Sequence, residues 1–487
     1  MTHSDYLGLG SRLTSGPSSL MVQTGFASET GQAKHLNSWM GIADITHVLA
    51  LRDAGVLPKD VGQRLLAALG DLMRTAPEDL AFDPAHGDVY NNREHLLRAQ
   101  VGDDAGWLSL GRTRREAGRT AFYLAARAAL LDLHETVGRF VDVAADRALD
   151  NVESYWADLT YWQPAQVSTF GHYLLSFAHE SARHLVRIRH SWERCALVPV
   201  AAGGVAGTTV PVSRTAYLTR LGLTGSATTS RDAMWSVDGL LDLAFVADQV
   251  VLTASRLAED FMLFATVPFG YVRLHDSHCR ASVYLPQKRN PYALSVVRGG
   301  AGLLAGRVSG VMTSVRTASA QTDNWIYNYG EILDMLRAAN DVCALMTEVL
   351  ERAEFDPARM VEQALEGFTE AADLAEQLVA GGHIDYRSAH SLVAELASAA
   401  ERRGQSRLSQ DDYRTLSQRT GTAQGPSDPR ALVAARASQG SASPTQVRAS
   451  ARRLRRELAR RRRWSEQAKS VADAAVRDLF KESEASR

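Results

Sequence analysis

Apolar and polar positions recur at helical rather than strand spacing along most of this chain. The stretch "GIADITHVLALRDAGVL", residues 41–57, carries apolar residues three and four apart and stops near Gly55. Residues 113–149 keep the same period for about ten turns. "VSTFGHYLLSFAHESARHLVRIRHSWERC", residues 167–195, predicts another long amphipathic helix, and two more are expected near 231–267 and 292–318. Alternating strand patterns are scarce, and "GTTVPVS" reads as a loop. Helices of this length without coiled-coil heptads predict an all-α fold built on a large bundle core.

The C-terminal part changes character. Residues 367–404 read as two shorter helices broken at Gly381–Gly382, followed by a Pro/Gly/Ser-rich connector over 422–446. "VRASARRLRRELARRRRWSEQAK", residues 447–469, reads as a solvated, arginine-dense terminal helix. No internal repeat is visible. The division expected is an N-terminal helical domain over 1–111, a central long-helix bundle over 112–354 and a C-terminal helical domain over 355–487.

Composition narrows the function. A net charge of −1 gives no bulk field for nucleic acid or membrane. The longest apolar stretch contains Asp242, Asp248, Arg256, Glu259 and Asp260, which argues against a membrane span. Cys195, Cys279 and Cys343 have no metal-type spacing, and the N-terminus has no basic region before an apolar core. A cytoplasmic protein in a reducing compartment is therefore expected.

Four stretches could carry chemistry. In "DVYNNREHLLRAQ", residues 88–100, Asn91 or Asn92 would cap a helix behind Tyr90. In "LGRTRREAG", residues 110–118, Arg112, Arg114 and Arg115 surround Thr113 at the mouth of a long helix, where guanidiniums and helix amides could bind an anion. In "TYWQPAQVSTFGHYLL", residues 160–175, Pro164 would end one element and a Ser/Thr cap would begin the next. In "CRASVYLPQKRNPYALS", residues 279–295, Ser282 precedes Lys288 and a helix start at Asn290 and Pro291. Lys288 stands out because the chain has only four other lysines, Lys34, Lys59, Lys469 and Lys481. A compact ammonium suits a tight carboxylate pocket, and its field could stabilise a serine alkoxide as a base.

In order and spacing, these stretches resemble the fumarase/aspartase superfamily and, within it, the argininosuccinate lyase family. The PQKxNP run resembles the signature loop "GSSxMPQKxNP". "GRTRREAG" is similar to "GRSRND", and "TYWQPAQVSTFGHYLL" to "THLQPAQPTTFGHHLL". The resemblance runs from about Gly10 to about Leu458. It implies a homotetramer around a core of about twenty long helices, with each active site shared between subunits. It also implies anti elimination from a dicarboxylate with release of fumarate, and no cofactor or metal. Carried over by position, Ser282 is the base and Lys288 and Asn290 bind a carboxylate. Arg112, Thr113, Thr160 and Gln163 contact substrate. Arg115, Tyr90, Asn91, Thr14 and Tyr327 are further candidate substrate contacts.

The departures from the family pattern matter as much. Tyr161 stands where the family has the histidine of "THLQ", and Ser295 stands where its glutamate partner falls. Both halves of a proton-donating pair are thus replaced. Tyr90 replaces a histidine, Arg115 an asparagine and Ala281 a loop glycine. Thr322 and Tyr327 stand where tyrosine and glutamine are expected. These changes point away from argininosuccinate itself. They leave Tyr161 as a candidate acid or substrate-orienting group, and leave open a nitrite-releasing lyase, a genuine argininosuccinate lyase, or a non-catalytic homologue.

Overall fold

The computed structural model describes residues 15–76, 79–225, 229–319, 323–382, 384–421 and 425–486, with residues 323–326 described for their backbone only. Long helices dominate. Those that position the site are α1 (Ala33–Asp53), α2 (Arg114–Asp150), α3 (Phe170–Arg194), α4 (Asp238–Phe264), α5 (Tyr292–Ser314), α6 (Asp323–Arg352) and α7 (Pro444–Ala485). One apolar core runs through all seven. It holds Leu49, Phe122, Leu133, Phe261, Leu294, Met346 and Leu454, each at most 2% exposed. A second, small core over Leu374–Leu416 lies in the C-terminal helices.

The longest periodic stretch folds as read. Thr113 caps α2: its hydroxyl accepts from Glu116 N–H, and the Glu116 carboxylate accepts from Thr113 N–H. The 37 residues of α2 span about 55 Å. α3 returns along it, so the mouth of α2 and the turn that follows it lie at opposite ends of the bundle.

Several expectations change. The segment around Pro164 is a β-hairpin, β1 (Tyr155–Thr160) with β2 (Gln163–Thr169), paired antiparallel from Tyr155↔Thr169 to Thr160↔Gln163. Pro164 therefore lies inside a two-stranded ribbon, where no further strand needs its missing N–H. The expected fourth helix breaks into Ser230–Trp235 and α4. The connector contains a short helix, Pro429–Ala435. The arginine-dense α7 is solvated on only one side, because Val447, Ala451, Leu454 and Leu458 seat its other face in the main core.

Candidate active site

The residues singled out in the sequence fall at the two ends of the bundle. At the mouth of α2, Arg112 does not reach outward. It is 5% exposed, and its guanidinium is held by Asp44 Oδ1 at 2.7 Å and the Ala43 carbonyl at 3.2 Å. Burial disfavours its charge, but Asp44 outweighs that cost and the guanidinium stays firmly protonated. Arg93 shares the same carboxylate at 3.1 Å and bonds Asn37 Oδ1 at 2.7 Å. Arg112, expected to contact a substrate carboxylate, is held within this chain as a buried strut. Asp44, a carboxylate in the apolar middle of α1, was the sequence signal for it.

Thr113 and Arg115 stay partly open above this strut. Glu116 is buried, and besides capping α2 it accepts from Ala202 N–H at 2.8 Å and Gly204 N–H at 3.2 Å. The glycine-rich loop beside Thr113 is fixed by these bonds. Gly203 has φ +54° and closes against Gly207, where a Cβ would meet the Gly207 carbonyl oxygen.

Helix Val89–Val101 brings up the first stretch. Its cap is Asp88, which accepts from Asn91 N–H at 3.0 Å, so Asn91 and Asn92 sit inside the helix rather than capping it. Asp88 wins because its extended backbone points its carboxylate at the free amides. Asp88 also pairs with Arg114 at 2.8 Å. Tyr90 is buried 3.3 Å from the Ser109 hydroxyl. A small cavity of about 40 Å³ lies here, lined by Glu29, Asp88, Tyr90, Arg114, Arg115 and Tyr329, among others. Tyr327 is part-exposed nearby, with its hydroxyl beside Gly25. Thr14 and Thr322 lie outside the described residues.

The remaining candidates occupy the other end. Tyr161 and Trp162 form the two-residue hairpin tip with φ +53° and +60°. That matches the hairpin turn favoured by Asn-Gly, yet two bulky side chains occupy it at a cost of order 1 kcal/mol each. Tyr161 is 97% exposed, and Thr160 and Gln163 beside it are exposed too.

The loop with Ser282 sits at this same end. Arg147, near the end of α2, stacks on Phe355 at 4.5 Å, and Phe355 pairs with Val272 just before the loop. The loop closes through Arg280↔Asn290 and Ala281↔Arg289. Asn290 Nδ2 donates to the Arg280 carbonyl at 2.9 Å, so this side chain braces the loop. The Ser282 hydroxyl oxygen accepts from Leu285 N–H at 3.0 Å and Tyr284 N–H at 3.3 Å. Two amides donating to one oxygen favour its deprotonated form. Lys288 is exposed and follows in the same turn. Among the described residues, no group of His, Cys, Asp and Glu is arranged to hold a metal, and no helix is long and apolar enough to cross a membrane.

The chain is thus a long-helix bundle with a serine-lysine loop at one end and a capped arginine mouth at the other. The family model described as "Lyase" matches residues 29–308, and the chain belongs to that family. The chain is 30% identical over 469 residues to the argininosuccinate lyase of Mycobacterium leprae, covering 93% of this chain and 98% of the relative. It is 28% identical over 458 residues to that of Methanoculleus marisnigri, covering 91% of each. The solved structure of EDDS lyase in complex with formate superposes with a TM-score of 0.83 at 25% identity, covering 97% of this chain and 96% of the other. The chain is thus a divergent, argininosuccinate lyase-like member of the fumarase/aspartase superfamily.

Proposed function

We propose that this lyase catalyses anti β-elimination from a succinyl- or aspartyl-type dicarboxylate, releases fumarate, and does not take argininosuccinate as its own substrate. The observation that carries the reading is the Ser282 turn, where two backbone amides converge on the hydroxyl oxygen in the loop that also carries Lys288. Ser282 removes the proton next to a carboxylate. Lys288 holds that carboxylate and stabilises the dianion that forms, the kind of preorganised charge that usually dominates catalysis. Thr113 and Arg115 bind the second carboxylate, with Arg112 as the strut beneath them. Tyr161, Thr160 and Gln163 orient the substrate from the hairpin tip.

The two groups of residues stand about a helix length apart in one copy, so the complete site takes residues from several copies. Support comes from the outer face of α5. Leu303 is 70% exposed there, with Val296 and Met312 also exposed. On the same helix, Gly299, Gly302, Gly306 and Gly310 have open space where a Cβ would be. A small-residue, apolar face of this kind suits close packing of another copy's helix, in a homotetramer.

The test follows fumarate by ultraviolet absorbance from argininosuccinate, nitrosuccinate and a series of N-substituted aspartates, with Ser282→Ala as control. Ser282-dependent release from an N-substituted aspartate, and silence with argininosuccinate, are expected. Fast release from argininosuccinate would overturn the substrate assignment. A second reading, release of nitrite from nitrosuccinate, is favoured by Tyr161 and Ser295, since nitrite leaves without a proton.

A further inference from the structure

With Tyr161 and Ser295 in place of a histidine and its glutamate partner, an amine leaving group needs another proton source. The cavity at the mouth of α2 holds a carboxyl with no role so far. Glu29 lies on the short helix Ala27–Thr30, pinned to the body where the Thr30 hydroxyl donates to the Gly87 carbonyl at 2.6 Å. The neighbouring Gln32 side chain accepts from Gly330 N–H at 3.2 Å, which ties the same segment to α6.

The other charged groups of the cavity are differently placed. Asp88 is committed twice, to Asn91 N–H and to Arg114. The Glu29 carboxyl is half-buried and carries no hydrogen bond or ion pair to the described residues. Burial first, and the Asp88 charge second, raise its proton affinity above the usual carboxylate range. Arg114 and Arg115 pull the other way without cancelling them. Tyr90 and Tyr329 complete the wall. The cavity is small, and Glu29, Arg114 and Arg115 share its lining, so a polar group that enters it meets the carboxyl and both guanidiniums. Of these, Arg115 holds a substrate carboxylate in the reading above.

We propose that Glu29 is the acid that protonates the departing nitrogen of an N-substituted aspartate, an inference that rests on the elimination reading. The Ser282 alkoxide takes the proton from the carbon beside the carboxylate. The released electron pair forms the carbon–carbon double bond, and the carbon–nitrogen bond breaks. Its electron pair stays on nitrogen and takes the Glu29 proton. Fumarate and a free amine leave, and water returns the proton from Ser282 to Glu29.

Two measurements decide this. In the first, succinate is titrated calorimetrically into the full-length protein at pH 7, where it is a dianion, in PIPES and in imidazole. Placing a dianion beside Glu29 raises its proton affinity further, so the wild type takes up protons on binding. Glu29→Gln is expected to bind succinate within a few-fold of wild type and to take up none. No uptake by wild type, or equal uptake by Glu29→Gln, overturns the proposal, whether or not any substrate turns over. Failure of both proteins to bind succinate overturns the elimination reading as well.

The second measurement compares N-phenylaspartate, whose weakly basic nitrogen needs a proton, with nitrosuccinate. Glu29→Gln should lose about a hundredfold on the first and less than about threefold on the second. Equal loss on both, or none on either, overturns the role as acid. Ser282→Ala loses both substrates if the elimination reading holds. If Ser282→Ala keeps both while Glu29→Gln loses only N-phenylaspartate, the base assignment fails and Glu29 stands.

Discussion

The two ends of α2 differ in how much of a site one copy can build. The mouth is finished within a single chain: Asp44 clasps Arg93 and Arg112, Glu116 ties down Ala202 and Gly204, and Asp88 holds Arg114. The far end is the reverse, with Tyr161, Lys288 and Ser282 on two projecting loops. A buried ion-pair network tolerates little rearrangement, since breaking it strands a charge away from water. A projecting loop costs nothing until another copy covers it. In the proposed reaction, the rigid half would receive substrate, and the half brought to it by another copy would carry the base.

That contrast can be broken at either end. Ser282→Ala should cut turnover by about a hundredfold to ten-thousandfold. Its melting temperature should stay within about a degree of wild type, because the side chain bonds only its own loop. A large loss of melting temperature would mean that the loop is structural. Asp44→Ala should do the opposite, costing about 3–5 kcal/mol in denaturant unfolding by leaving two buried guanidiniums unpaired. A cost below about 1 kcal/mol would show the mouth to be softer than described. Tyr161→Phe should lower turnover by less than about tenfold if the tyrosine orients substrate. A loss near a hundredfold would move the acid role from Glu29 to the hairpin tip.

A separate effect lies away from both ends. His134 and His184 are buried, mainly desolvated, and pushed down to about 4. Unfolded histidine binds a proton near 6.5, so between about pH 6.5 and 4 the unfolded chain holds more protons than the native one. Stability should therefore fall as pH drops through that window and level off below it. His184→Gln keeps a partner for Thr253, now bonded to the histidine at 2.7 Å, and should flatten the slope. An unchanged slope would assign it elsewhere.

Much of this could be read from residue pattern because helical periodicity is local. The course of α2 followed from spacing alone, as did the placing of Lys288 just before a helix, whereas the Thr113–Glu116 capping box emerged only in the structure. The hairpin was missed because its tip is Tyr161–Trp162 rather than Asn-Gly, so the turn carries no local signal. Asp88 displaced Asn91 as cap through backbone geometry that composition does not record. Arg112 reads as a surface cation until Asp44, 68 residues earlier, is seen to meet it. Glu29 belongs to no motif and gains meaning only from the cavity around it.

The most direct test of a site shared between opposite ends of different copies is to mix two silent variants. Ser282→Ala keeps an intact mouth, and Arg115→Ala keeps an intact base. Dissociated and reassembled together, they should recover a measurable fraction of wild-type fumarate release, because hybrid assemblies contain sites that combine the two native halves. A mixture that forms hybrids yet stays as silent as its parents would place Ser282 and Arg115 in the same copy's site and contradict the account.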